Sequence, residues 1–193
     1  MNRRLVGSAT YRGHFGSRRL VNEDTPVRSL TLSVELRDSI VAFLRRCLPH
    51  EGVGLLAARR IGSSLIAVRF YPGQNMDSSP RRYTMDPTDV MPALADMKRN
   101  ETRLGAIVHS HPNTPPVPSR TDLVEAKLPD VLSLIVGLSP VVELRAWSLV
   151  YDGHGVAVSS EEVPITCRCR TSECATGVVN ARRPWPNERP RTL

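Results

Sequence analysis

Apolar residues recur at two periods along this chain, and the changes of period mark out its elements. Leu36, Ile40, Val41, Leu44 and Leu48 fall at helical spacing. They predict an amphipathic helix that Ser33 caps, that carries Glu35 in its first turn, and that ends before Pro49. Arg28 to Leu32 ahead of it reads as a short strand. After it, the apolar run Gly52 to Ala58 and the alternating Ser64 to Tyr71 read as strands joined by a turn at Gly62. Residues 72–82 are rich in turn formers, and Tyr83 to Met85 reads as a short strand. Asp86-Pro87 opens a second helix with Val90, Met91, Leu94 and Met97 on its apolar face. Leu104 to Val108 is an apolar strand that runs straight into His109. Four prolines, at 112, 115, 116 and 118, make the next segment a stiff, non-helical connection. A short helix starts near Ser119 and stops before Pro129. Val131 to Gly137, Val142 to Tyr151 and Gly155 to Val163 read as strands, the last two joined through Asp152-Gly153-His154-Gly155.

Composition refines this outline. The chain has 193 residues, 40% of them hydrophobic, enough for one core. Its formal charge of +7 belongs to the ends. Residues 1–30 hold six Arg against Glu23 and Asp24, and residues 164–193 hold six Arg against Glu173 and Glu188, so the middle is close to neutral. The sequence therefore divides into a basic arm at 1–27, a folded domain at 28–163 and a basic Cys- and Pro-containing tail at 164–193. Both arms are expected to be disordered. Nucleic-acid binding by these arms is the lesser reading of their charge. The N-terminus lacks the apolar stretch of ~7–15 residues that a signal peptide needs. The apolar run at Val131 to Leu138 is too short to span a membrane. The expected setting is cytoplasmic, without membrane association. Cys47 lies on the apolar face of the first helix and reads as a small buried hydrophobe. Cys167, Cys169 and Cys174 match no common structural zinc spacing and read as incidental or redox-exposed thiols.

The chemistry concentrates in His109-Ser110-His111-Pro112, followed by Pro118-Ser119 and Asp122. On a strand, residues i and i+2 share a face, so His109 and His111 can aim at one point. Pro112 ends the pairing and leaves both imidazoles at a strand end. Two neutral imidazoles and one carboxylate can hold one zinc ion and leave a fourth tetrahedral position open. Ser119 and Asp122 also have capping-box spacing, a structural role compatible with a metal role.

This pattern resembles the signature of the JAMM (MPN-plus) metallopeptidase family. The family's upstream glutamate has its counterpart in Pro49-His50-Glu51-Gly52-Val53. The resemblance spans about residues 28–163. It implies an α/β fold of the α+β type: an MPN/JAB domain whose mixed, curved β-sheet is flanked by helices as an α-β-α sandwich, cytidine-deaminase-like. It implies one Zn2+ per chain on His109, His111 and Asp122. Glu51 would activate the zinc-bound water and pass its proton to the leaving amine, and Ser119 would donate to the oxyanion. The implied substrate is an amide after the C-terminal Gly-Gly of a ubiquitin-like or sulfur-carrier protein. Asn75 and Tyr83, beside the 72–82 loop, are the candidates for substrate contact. The short loops resemble a compact prokaryotic member of the family.

Three other readings compete. The same ligand types make the facial triad of non-haem Fe(II) oxygenases, which requires neither Glu51 nor Ser119. A non-catalytic MPN scaffold would have lost motif residues, and all five are present here. A DNA-associated JAB-domain protein would use the Arg-rich arms, with steeply salt-dependent binding. The sequence leaves the oligomeric state open.

Overall fold

The computed structural model describes residues 25–168 and the backbone of a two-residue strand at 179–180. In chain order the elements are β1 (Ser29–Ser33), α1 (Val34–Arg46), β2 (Val53–Ile61), β3 (Ser64–Gly73) and α2 (Pro87–Arg99). They continue with β4 (Arg103–His111), α3 (Arg120–Glu125), β5 (Leu132–Gly137), β6 (Glu143–Tyr151), β7 (Ala157–Val163), β8 (Ile165–Arg168) and β9 (Val179–Asn180). One mixed sheet runs β7-β6-β5-β4-β2-β3-β1-β8-β9. β4 pairs antiparallel with β2 and parallel with β5, so the strand that carries the histidines is held on both edges.

Side-chain alternation divides the core between two faces. On one face Leu56, Val108, Leu134 and Val136 pack with Ile40, Val41 and Leu44 of α1. On the other, Leu55, Ala57 and Ile107 pack with Ala93 and Met97 of α2, while Ile135, Trp147 and Leu149 pack with Leu123 of α3. This is the expected α-β-α sandwich. Ser33 caps α1 by accepting from Leu36 N, and Asp86 caps α2 by accepting from Thr88 N. Gly62 makes the β2–β3 turn with φ +60, a conformation that strains other residues. Among the described residues no helix is long and apolar enough to cross a membrane.

Four details depart from the sequence outline. The buried face of α2 is Ala93 and Met97 with Val90 beside them, whereas Met91 is 66% exposed and Leu94 37%. Leu48 lies past the end of α1 and is exposed, and Cys47, the helix C-cap, is only half-buried. Tyr83 to Met85 forms no strand, only a single bridge between Met85 and Asn75. The sheet also continues beyond the boundary expected at Val163. β8 pairs in parallel with β1 from Leu30↔Ile165 to Ser33↔Arg168, and Cys167 is fully buried in the core rather than exposed. Cys169 and Cys174 lie outside the described residues, as do residues 1–24.

A chain ended at Val163 is accordingly expected to melt at a lower temperature than the full chain, because β1 loses one of its two parallel partners, keeping only β3, and the core loses Cys167. An unchanged melting temperature in a thermal unfolding scan would show that β8 contributes nothing.

The described chain enters at the sheet end opposite His109. There Thr25, Pro26 and Val27 line a small cavity with Arg60, Pro129 and Asp130, and Arg60 donates to the Thr25 carbonyl.

Candidate metal centre

β4 delivers both histidines. His109 lies between Val53 of β2 and Ile135 of β5 and is fully buried, and His111 is nearly so. Their rings face the same side, with centroids 5.1 Å apart. Ser110 faces the opposite side. Its hydroxyl accepts from Gly52 N at 2.8 Å, and its own N–H donates to Gly52 O at 3.0 Å. That reciprocal pair fastens the start of β2 to the end of β4 and thereby brings Glu51 to the histidines.

The Pro-rich segment returns the chain so that α3 presents its first turn to β4. Ser119 and Asp122 form a complete capping box: Asp122 N donates to Ser119 Oγ, and Ser119 N donates to Asp122 Oδ2 at 2.6 Å. The same carboxylate faces the imidazoles, with Oδ1 3.3 Å from His109 Nε2 and Oδ2 3.5 Å from His111 Nε2. Candidate ligand atoms from the three residues all lie within 4.8 Å of one another.

These residues fit a tetrahedral divalent cation. Metal–ligand bonds of about 2.0–2.1 Å place neighbouring ligand atoms about 3.3 Å apart, close to the observed separations. Both ring nitrogens of His109 are buried without a hydrogen-bond partner. A buried polar atom without a partner calls for an explanation, and an ion would supply one for Nε2, the nitrogen that faces Asp122. His111 Nδ1 lies 2.7 Å from Pro115 O, which places its proton on Nδ1 and turns the Nε2 lone pair toward Asp122.

Electrostatics agree with this geometry. Burial holds His109 below the usual imidazole range, against the pull of Asp122, so its neutral, ligating form is favoured. Burial also opposes ionisation of Asp122, but the two imidazoles and Ser119 outweigh it and hold the carboxyl well below the usual range. Burial pushes Glu51 up to about 7, with His111 opposing and Asp122 adding to the rise. A carboxyl there can take up and release a proton near neutral pH.

The two residues expected to touch substrate have other partners. Asn75 Nδ2 donates to Glu51 O and to Arg82 O, each at 3.0 Å, while Oδ1 accepts from Asp77 N and Thr84 N. All four hydrogen-bonding positions of its amide are thus used within the 75–84 loop and on Glu51. Glu51 N is held in turn by Ser79 O at 2.8 Å. Tyr83 lays its ring on His109, centroids 4.6 Å apart and tilted by 31°. Arg82 continues the loop across to α3 through an ion pair with Glu125 at 2.7 Å.

A crevice of about 240 Å³ opens beside Asp122 between this loop and α3. Its floor includes Ile107, Leu132 and Leu149, and its rim includes Arg82 and Lys127. A second, more open hollow of about 440 Å³ lies on the Glu51 side, between Phe43 of α1, Cys47 at its C-cap and Pro72–Asn75.

Residues 33–150 match the family model of prokaryotic homologues of the JAB domain, named Prok-JAB. The chain belongs to this family. Among curated proteins this Prok-JAB chain is 33% identical over 138 residues to a CysO-cysteine peptidase of Mycobacterium tuberculosis, covering 70% of this chain and 90% of that one. It is 29% identical to a desampylase of Haloferax volcanii, covering 62% and 88%. It is also 41% identical over 87 residues to a probable TtuB-protein conjugate cleaving protease of Thermus thermophilus, where the match spans 45% of this chain and 55% of the relative. A solution structure of a Desulfitobacterium hafniense protein superimposes with a TM-score of 0.64 at 29% identity, covering 75% of this chain and 96% of the other.

Proposed function

We propose that this Prok-JAB chain is a zinc-dependent peptidase that hydrolyses the amide after the C-terminal Gly-Gly of a ubiquitin-like or sulfur-carrier protein, in a cytoplasmic setting. The observation that carries the metal half of this reading is His109, buried with neither ring nitrogen hydrogen-bonded and with Nε2 3.3 Å from the Asp122 carboxylate. The substrate half is supported by relatives named for cleaving a TtuB–protein conjugate and for acting on CysO–cysteine.

His109, His111 and Asp122 would hold the ion. When bound there, zinc supplies Lewis acidity that polarises a carbonyl and brings the pKa of water to about 7. Glu51 accepts a proton from the attacking water as its oxygen bonds to the scissile carbonyl carbon. The same carboxyl then hands that proton to the departing nitrogen as the C–N bond breaks, so the chain ends the cycle unchanged. Ser119 Oγ accepts from Asp122 N, which leaves its hydroxyl proton free to donate to the carbonyl oxygen. We place the extended tail in the crevice beside Asp122. No covalent intermediate is required, so neither Cys47 nor Cys167 has a part in the reaction. The facial-triad reading gives Glu51 no task, although Ser110, Ser79 and Asn75 all act to hold it in place.

The test uses the full chain and a carrier protein conjugated through its Gly-Gly carboxyl. Treatment with a chelator is expected to abolish release of the carrier, and one equivalent of zinc to restore it. Undiminished cleavage by chain shown to be metal-free would overturn the reading.

A further inference from the structure

We propose that Trp147 of β6 is a positioning residue for the metal centre, acting on His111 through the Pro-rich segment. The inference rests on the metal reading above and extends it to a residue that touches neither ion nor substrate.

The argument starts from what prolines lack. Residues 112–118 include four prolines, which donate no backbone hydrogen bonds, so the segment has few donors of its own to fix the direction of its carbonyls. Pro115 O matters most, because it receives His111 Nδ1 at 2.7 Å. It also accepts from Val117 N at 2.8 Å, closing a three-residue turn with Pro116 at its centre. The carbonyl of that central residue is held from outside the segment, by Trp147 Nε1 donating to Pro116 O at 2.9 Å in a buried setting.

Two further contacts make Trp147 a rigid post. Its backbone lies in β6 opposite Ser133 of β5, and the Arg145 guanidinium stands 4.6 Å over its ring, itself paired with Glu162. The indole also belongs to the apolar cluster that receives Leu123, the neighbour of Asp122 on α3. One side chain therefore holds the turn that aims His111 and belongs to the apolar cluster on which the helix carrying Asp122 packs. Opposite the turn, a Cβ on Gly137 would come within 2.9 Å of Pro116 Cδ, so the segment is also seated tightly against β5.

Partners outside the ligand shell that orient a ligating imidazole typically change metal affinity by 10–100-fold when removed. Trp147 acts one step further out, so the lower end of that range applies. The test is zinc affinity of the full chain, measured by competition with a chromophoric chelator, for wild type, Trp147→Phe and Ile40→Val. Trp147→Phe keeps an aromatic ring in the apolar cluster but deletes the N–H. Ile40→Val trims the core on the opposite face and controls for general loosening. The expected result is about tenfold weaker zinc binding for Trp147→Phe, with Ile40→Val at the wild-type value. Wild-type affinity in Trp147→Phe, or an equal loss in both variants, would overturn the assignment while leaving the metal reading intact. Absence of zinc binding by wild type would instead overturn the metal reading beneath it.

Discussion

Glu51→Gln is expected to keep the bound metal and to turn over a Gly-Gly-linked conjugate at least about a hundredfold more slowly, the scale at which a positioned general acid–base contributes. The substitution is close to isosteric and leaves His109, His111 and Asp122 untouched. The backbone at this position is held independently of the side chain: Glu51 N donates to Ser79 O, Glu51 O accepts from Asn75, and neighbouring Gly52 is paired with Ser110. The fold has no reason to shift, so the loss falls on proton transfer alone. An amide in place of the carboxyl cannot accept the proton of the attacking water. Zinc content and kcat measured on one preparation decide the matter. Glu51→Gln turning over at the wild-type rate would falsify the assigned mechanism.

Asp122→Ala is expected to abolish both metal retention and cleavage. Two losses coincide, because one carboxylate faces the two imidazoles and also completes the capping box of α3. Ser119 still caps the helix by accepting from the backbone N–H of residue 122, so only the return bond from Ser119 N is lost, at a cost of about 1 kcal/mol or less and a few degrees of melting temperature at most. The metal loss is more severe, since two imidazoles alone make a poor site. Asp122→Asn separates the effects. Its side-chain oxygen can still accept from Ser119 N, so the melting temperature should stay near that of metal-free wild type, while the neutral amide gives up the charged ligand. Full zinc occupancy of Asp122→Ala after dialysis would remove Asp122 from the ligand set.

The sequence showed most of this architecture because its elements are long and its periods clean. It misjudged α2 for a reason visible on the helix itself. Two apolar stripes run side by side, Val90-Ala93-Met97 and Met91-Leu94, and hydrophobicity alone merges them: it puts Val90 and Met97 on the buried face, but also Met91 and Leu94 in place of the small Ala93. The sheet buries the stripe containing Ala93, where a small side chain allows close approach. β8 left no signal, since Ile-Thr-Cys-Arg is too short to show a period and its partner β1 lies at the other end of the domain. At the site, the i,i+2 histidines and the Ser119–Asp122 spacing were readable because each is local. The support around them was not. Ser110, between the two histidines, fastens Gly52 across the sheet, a role no local pattern marks. Of the two residues expected to contact substrate, Asn75 holds the Glu51 backbone and Tyr83 lays its ring on His109. Long-range hydrogen bonds of this sort depend on register, which no linear pattern encodes.

The entry of the described chain at Thr25 has a practical corollary. β4 runs nine residues from Arg103 to His111, roughly 26 Å at about 3.3 Å per residue, and Thr25 lies beneath its starting end. A fluorophore, resin linker or tethered partner joined ahead of Thr25 would start from the sheet end opposite the histidines. That end lies beside Leu132, which the Thr25 cavity shares with the far wall of the crevice, and so about the length of β4 from the metal site. Immobilisation through that end should therefore spare turnover.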